Sequence, residues 1–208
     1  MTVESAETVA FGRLQITFDG RVLRPRSWTE AQSAWAAEIL RTAPAGQVLE
    51  LCAGAGHIGL LAVLGSTRCL LCVDIDPVAC EFARRNAEAA GMTSRVEVRE
   101  GAMDEVLRDA ERFAVVIADP PWVPRASVER YPEDPRLAID GGDDGMDLAR
   151  TCVDVAGRHL QPGGVLLLQL GSVDQVETLR DQLEDGLSVT EVRWYDDGVL
   201  VRMDLKQA

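Results

Sequence analysis

The stretch from Gln47 to Asp74 restricts the fold more than any other part of the chain. A short apolar run, Gln47–Leu51, enters a glycine-rich turn, Gly54-x-Gly56-x-x-Gly59, that opens a helix through about Leu64. A second apolar run starts at Cys69 and ends at Asp74. Glycines at that spacing permit a tight turn and close approach of a ligand to the backbone. Asp74 follows Gly54 by twenty residues, the spacing at which a carboxylate at the next strand end meets ribose hydroxyls. Glycines alone serve packing as readily. Joined to a strand, a helix and Asp74, they point to an adenosine-bearing cofactor.

The rest of the chain extends the same alternation. Asp76-Pro77 supplies an N-cap and a proline at the first helical position, and that helix runs to about Ala90 and stops at Gly91. Strands are expected at Arg95–Arg99, at the run ending in Asp119, and at Val165–Leu170, with a short helix near Met103–Asp109 and longer ones ending near Leu160 and Leu183. Ser188–Tyr195 and Val199–Leu205, joined at Asp196-Asp197-Gly198, read as a closing antiparallel hairpin. Near the start, Leu14–Phe18 alternates as a half-buried strand, Asp19-Gly20 is a turn signal, and Val22-Leu23 is expected to return along it. Thr29 and Gln32 have capping-box spacing ahead of a helix to about Arg41 that buries Trp35, Ile39 and Leu40. Near-continuous apolar strands alternating with helices mean a mostly parallel sheet covered on both faces. The expectation is one α/β domain over residues 1–208: an N-terminal hairpin and helix over 1–45, and over 46–208 a three-layer Rossmann-like core with a seven-stranded sheet and an antiparallel C-terminal hairpin strand.

Val115-Val116-Ile117-Ala118 breaks off into Asp119-Pro120-Pro121-Trp122. Proline cannot donate to a sheet ladder, so the strand must stop at Asp119. The residue before each proline is confined to extended conformations, which makes the corner stiff. In open α/β sheets ligands bind outside the carboxyl ends of strands. A carboxylate, the Pro120 carbonyl and an indole there suit a planar guest carrying an NH2 group. The plainer alternative is a rigid loop with Trp122 as packing. The long segment 120–143 that follows is of a length usually found at functional loops.

Composition narrows the classes. A net charge of −13 on 208 residues repels phosphate backbones, which argues against long nucleic acids as partners. No run reaches membrane-spanning length and Met1–Ala10 does not resemble a signal peptide, so no membrane is expected and the location expected is cytoplasmic. The five cysteines, Cys52, Cys69, Cys72, Cys80 and Cys152, do not form a disulfide framework. Cys69 and Cys72 lie on one strand with opposite orientations, so no metal site is expected. His57 and His159 have no motif partner and read as structural.

NAD and S-adenosylmethionine both use this architecture. Three features favour the second: Glu50 just before the turn, suited to a cationic methionine end; the terminal hairpin; and Asp-Pro-Pro-Trp after the fourth core strand. Class I methyltransferases combine all three. Cys52, Ala53, Gly54 and Gly56 would then form the cofactor turn with Glu50, Asp74 and Ile75 would hold the ribose end, and Gly101, Ala102 and Met103 would lie at the adenine, with Asp119 completing the site.

With these residues in view, the chain resembles the HemK/PrmC family, which methylates the glutamine side-chain amide of peptide chain release factors. Arg24-Pro25-Arg26-Ser27-Trp28-Thr29-Glu30 is similar to that family's Pro-Arg-x-x-Thr-Glu segment, and Glu50 to Gly56 to its Asp-Leu-Gly-x-Gly-x-Gly loop. Asp119-Pro120-Pro121-Trp122 stands where the family has Asn-Pro-Pro-Tyr, and Pro135 to Asp147 matches its Pro-x-Leu-Ala-Leu-x-Gly-Gly-x-Asp-Gly-Leu-Asp segment. The resemblance covers roughly residues 20–205 and implies S-adenosylmethionine as cofactor and a protein amide as acceptor. The family's N-terminal helical domain is not expected in this chain, whose length is similar to that of single-domain relatives that work with a small partner subunit. Cys52, in place of the loop's first glycine, is expected to fit without positive φ. Asp119 and Trp122 replace asparagine and tyrosine, and Asp-Pro-Pro-Trp also occurs in adenine-amino methyltransferases, so a small molecule or a base amino group stays open as acceptor. Arg26, Trp28, Trp122 and Tyr131 are the candidate acceptor-side residues. An NAD-dependent oxidoreductase and a non-catalytic cofactor-binding protein are the remaining alternatives.

Overall fold

The computed structural model describes residues 5–183 and 186–205. Its centre is a seven-stranded sheet built from β3 (Gln47–Leu51), β4 (Leu70–Asp74), β5 (Val96–Glu100), β6 (Phe113–Ala118), β7 (Leu160–Leu170), β8 (Leu187–Tyr195) and β9 (Gly198–Leu205), in the order β5-β4-β3-β6-β7-β9-β8. The five strands from β5 to β7 run parallel, and β9 is antiparallel to both its neighbours. Val115, Val116, Ile117 and Ala118 are wholly buried because helices cover both faces. On one face, Val48, Val115, Ile117 and Leu167 pack with α1 (Glu30–Leu40), α2 (His57–Val63) and α3 (Pro77–Ala89). On the other, Leu49, Leu51, Val116 and Leu168 pack with α5 (Asp147–His159) and α6 (Val173–Gln182). The short α4 (Arg136–Ile139) lies outside the layers, in the segment that follows β6.

Chain order reverses at β3. The chain runs outward through β4 and β5, then returns to add β6 on the other side of β3. The carboxyl ends of β3 and β6 therefore lie side by side, with Leu51 opposite Ala118. This is the switch point at which open α/β sheets bind ligands. It brings the glycine turn and Asp119 together.

Local signals placed most elements. Asp76 caps α3 by accepting from the Val78 amide at 2.8 Å, Pro77 opens it, and Gly91 at φ +69 ends it. Three expectations need correction. The N-terminal hairpin pairs β1 (Glu7–Phe11) with β2 (Leu14–Phe18) around a turn at Gly12, φ +54, and Val22-Leu23 forms no strand. Asp19 instead accepts from the Arg21 amide at 3.0 Å, and its carbonyl accepts from Val22. Thr29 and Gln32 form no capping box: Thr29 is already helical at φ −72, ψ −6, its hydroxyl donates to the Arg26 carbonyl, and Gln32 turns into the core. Residues 103–109 make turns rather than a helix, tied down by Glu111, which accepts from the Arg108 amide and pairs with Arg99 at 2.7 Å. Among the described residues no helix is long and apolar enough to cross a membrane.

Candidate active site

Cys52 follows the last residue of β3 and is the one non-glycine residue at positive φ among the described residues, at +55. The expectation that it would avoid this region is overturned. A left-handed L-residue costs about 1–2 kcal/mol, and the turn imposes it by bonding Ala53 N–H to the Val73 carbonyl and Gly56 N–H to the Ala53 carbonyl. Gly54, at φ +53, has open space where a side chain would point. Its N–H donates to Asp74 Oδ2 at 2.7 Å, and the Asp76 N–H donates to Oδ1 at 2.9 Å. Two amides thus aim the Asp74 carboxylate, while burial pushes its pKa above the ordinary value.

These groups line a cavity of about 750 Å3, a size suited to a nucleotide-like ligand. Cys52, Ala53, Gly54, Asp74 and Ile75 form one side of it, and Gly101, Ala102 and Met103 another. Ile75 stands 58% exposed on the rim, an apolar face available to a flat ring. An oriented carboxylate, a bare backbone turn and apolar walls together fit an adenosine-bearing group.

Two residues expected at the cofactor are not on this wall. Glu50 is buried beneath α2, where Oε1 accepts from the Gly59 amide at 2.8 Å and the Cys72 thiol donates to Oε2 at 3.3 Å. Burial raises its pKa to about 7, against those two bonds. A Cβ on Gly59 would collide with this carboxylate, so that glycine serves the buried acid. Gly56 sits at φ +75 against Ala83 of α3, making room for helix packing.

Asp119 lies between this cavity and a second one of about 520 Å3. All four expected acceptor-side residues, Arg26, Trp28, Trp122 and Tyr131, line the second cavity. Pro120 faces it, while Pro121 faces the first. Among the described residues nothing bonds to the Asp119 carboxylate, and burial alone pushes its pKa to about 7. Arg26 is held by Asp134 at 2.6 Å, which fixes one rim of the second cavity. Sequence reading missed His57 and Leu23, which line both cavities. His57 packs edge-on against Phe11 at 4.8 Å, and burial lowers its pKa to about 4, so it is neutral. Its position directly after Gly56, opening α2, is the signal that could have found it.

The segment after Trp122 is ordered against the corner. A 3-10 helix spans Arg125–Arg130, and Val123 exchanges bonds with the loop: its N–H donates to Ile139 and its carbonyl accepts from Gly141. A Cβ on Gly141 would lie 2.7 Å from the Pro121 carbonyl oxygen. One on Gly145 would strike the Trp122 carbonyl, and one on Gly171 would strike the Trp122 ring. The glycine-rich segment lets backbone press directly on Pro121 and Trp122.

Residues 30–131 match the methyltransferase small domain family. The chain is 38% identical over 179 residues to the release factor glutamine methyltransferase of Geobacter sulfurreducens, covering 83% of this chain and 61% of that one. It is 32% identical over 188 residues to the ribosomal protein uL3 glutamine methyltransferase of Bordetella pertussis, covering 86% and 60%. It thus spans about three fifths of the length of these relatives. A methyltransferase from Pyrococcus furiosus superposes with a TM-score of 0.68 at 19% identity, over 96% of this chain and 92% of that one, which shows the shared fold. The sheet order, the oriented Asp74 and the Asp-Pro-Pro-Trp corner agree with these matches: the chain has the fold of class I methyltransferases, and it is similar in sequence to glutamine methyltransferases of a release factor and of ribosomal protein uL3.

Proposed function

We propose that this chain methylates a planar amide nitrogen, the side chain of a glutamine in a protein. The observation that carries the reading is Asp119: an unbonded carboxylate on the wall shared by two cavities, beside a proline on the acceptor side. S-adenosylmethionine supplies, when bound, a methyl group on a cationic sulfur. Asp74 would hold its ribose, Ile75 and Gly101–Met103 its base, and the Cys52–Gly54 turn its amino-acid end.

An amide nitrogen is a poor nucleophile because its lone pair is delocalised. The Asp119 carboxylate and the Pro120 carbonyl each accept one N–H, which fixes the direction of the nitrogen and favours loss of conjugation as charge develops. Trp122 stacks on the amide plane. As the new N–C bond forms, the methyl–sulfur bond would break with its electron pair left on a neutral thioether, and the nitrogen loses one proton, which Asp119 takes and returns to solvent. Asparagine at this position could not take that proton. The charge of −13 favours a protein acceptor over a long nucleic acid. The relatives act on a release factor and on ribosomal protein uL3, which are the first acceptors to try. A small partner subunit, implied by the resemblance to single-domain relatives, belongs to the same reading. The Asp-Pro-Pro-Trp form of the corner also suits an amino group on a base or small molecule, and one assay separates these.

Tritiated S-adenosylmethionine is incubated with the protein and with lysate fractions split into protein, RNA and small molecules, alongside purified release factor and uL3. Label is expected in protein glutamine. Asp119→Ala is expected to keep affinity for S-adenosylhomocysteine and lose about 100-fold or more in turnover. Label confined to RNA or small molecules, or near-normal turnover of Asp119→Ala, would refute the reading.

A further inference from the structure

The Asp119–Trp122 corner has left the sheet, and its two prolines have no N–H to anchor it. Among the described residues nothing bonds to the Asp119 side chain. Beyond the backbone bonds that Val123 makes with the loop, what aims the corner acts on its carbonyl oxygens and on those flanking it. Two buried side-chain amides do so, one from each face of the sheet.

Gln32, on α1, is wholly buried. Its Nε2 donates to the carbonyl of Ala118, the residue just before Asp119, at 3.0 Å, and to that of Leu167 on β7 at 3.2 Å. Its Oε1 is buried without a partner among the described residues. Gln175, in the first turn of α6, donates from Nε2 to the Trp122 carbonyl at 2.9 Å and accepts from the Gly171 amide at 2.8 Å. A longer contact from the same Nε2 reaches the Gly145 carbonyl at 3.4 Å.

Resting on the reading above, we propose that Gln32 and Gln175 are positioning residues for methyl transfer: they pin the two ends of the Asp119–Trp122 corner and set where Asp119 and the Pro120 carbonyl meet the acceptor nitrogen. A purely structural role is a poor explanation of Gln32. An unpaired buried oxygen costs stability, and methionine fills the same volume without one. The residue is explained by its donors, which reach the last carbonyl before Asp119 from a helix far away in sequence.

The test compares Gln32→Met and, as a second variant, Gln175→Leu with the parent. For Gln32→Met the melting temperature is expected at or above the parent value, because the orphan oxygen is gone. S-adenosylhomocysteine affinity by calorimetry is expected to stay within about twofold, since Gln32 does not line that cavity. In the presence of S-adenosylhomocysteine, amide exchange at Trp122 and Val123 is expected to quicken roughly fivefold or more in each variant, with exchange in β3 and β4 unchanged. On a glutamine acceptor, kcat is expected to fall by roughly 10–100-fold with KM little changed, the cost of a misplacement of about 1 Å. Unchanged exchange at Trp122 and Val123 in both variants overturns the proposal, as does a fall in stability with turnover per folded molecule retained. If the parent methylates no protein yet the exchange result holds, the acceptor assignment fails and the pinning stands.

Discussion

Asp119→Asn isolates the energetic consequence of placing a carboxylate where nothing among the described residues bonds it. Burial lifts the Asp119 pKa from 3.8 to about 7, roughly three units, with no opposing interaction. At about 1.4 kcal/mol per unit this is a penalty of about 4 kcal/mol on the ionised form in the folded protein. Below pH 4 the carboxyl is neutral in both folded and unfolded chains and the penalty is absent. Between pH 4 and 7 the unfolded chain ionises first, so stability falls as pH rises; above 7 the whole penalty is present. The variant's amide has no such titration, although its NH2 group must also find partners, which offsets part of the gain. The expected outcome at pH 8 is a variant more stable by about 2–4 kcal/mol, or roughly 5–15 °C in Tm for a chain of this size. The gain shrinks towards zero near pH 4. Glu50, whose pKa is also raised to about 7, is present in both proteins and largely cancels from the difference. Calorimetric unfolding from pH 4 to 8.5 at constant ionic strength measures the curve. A stability difference that is flat with pH, or a variant less stable at pH 8, would refute the reasoning. The same titration governs rate: parent kcat/KM should fall about tenfold per unit below pH 7, and that slope should vanish in the variant.

Gly171→Ala places a methyl group into the Trp122 ring, so turnover should drop by on the order of tenfold or more while S-adenosylhomocysteine affinity holds, a split read by kinetics and calorimetry. Asp74→Ala should weaken S-adenosylhomocysteine by roughly tenfold or more, through loss of charged hydrogen bonds, whereas Glu50→Gln, off the cavity wall and still able to accept from Gly59, should bind within about threefold of the parent. Equal losses in the two titrations would mean that Glu50 reaches the cofactor after all.

What could be read from sequence and what could not divides along one physical line. Burial on both faces forces continuous apolar residues into β3, β4, β6 and β7, and the Asp76-Pro77 to Gly91 punctuation of α3 is local, so both were legible. The first hairpin was not, because its register joins Glu7–Phe11, a segment with little alternation, to β2 through Gly12 and a Thr8–Thr17 contact. Glu50 adjoins the turn in sequence yet does not line the cavity. A strand's pleat sends alternate side chains to opposite faces. Val48 and Glu50 therefore share the face beneath α2, while Asp74, the last residue of its strand, projects into the crevice.

Arg26, Trp28, Trp122 and Tyr131, expected together from their place around the proline corner, all line the second cavity. His57 was read as structural, because its one local signal, the place directly after Gly56, also fits a packing role. Gln32 shows the limit most sharply. Its spacing from Thr29 satisfies a capping rule, but that rule requires an extended residue at the cap, and the 3-10 turn at Ser27–Thr29 has already made Thr29 helical. Released from that task, the amide turns inward to carbonyls at Ala118 and Leu167, positions 86 and 135 residues away, which no local pattern encodes. The same reasoning applies to Gln175, whose partner Trp122 lies 53 residues earlier. Asp119 is thus identifiable from its own neighbours, while the direction it points is decided by amides that the fold brings from both faces of the sheet.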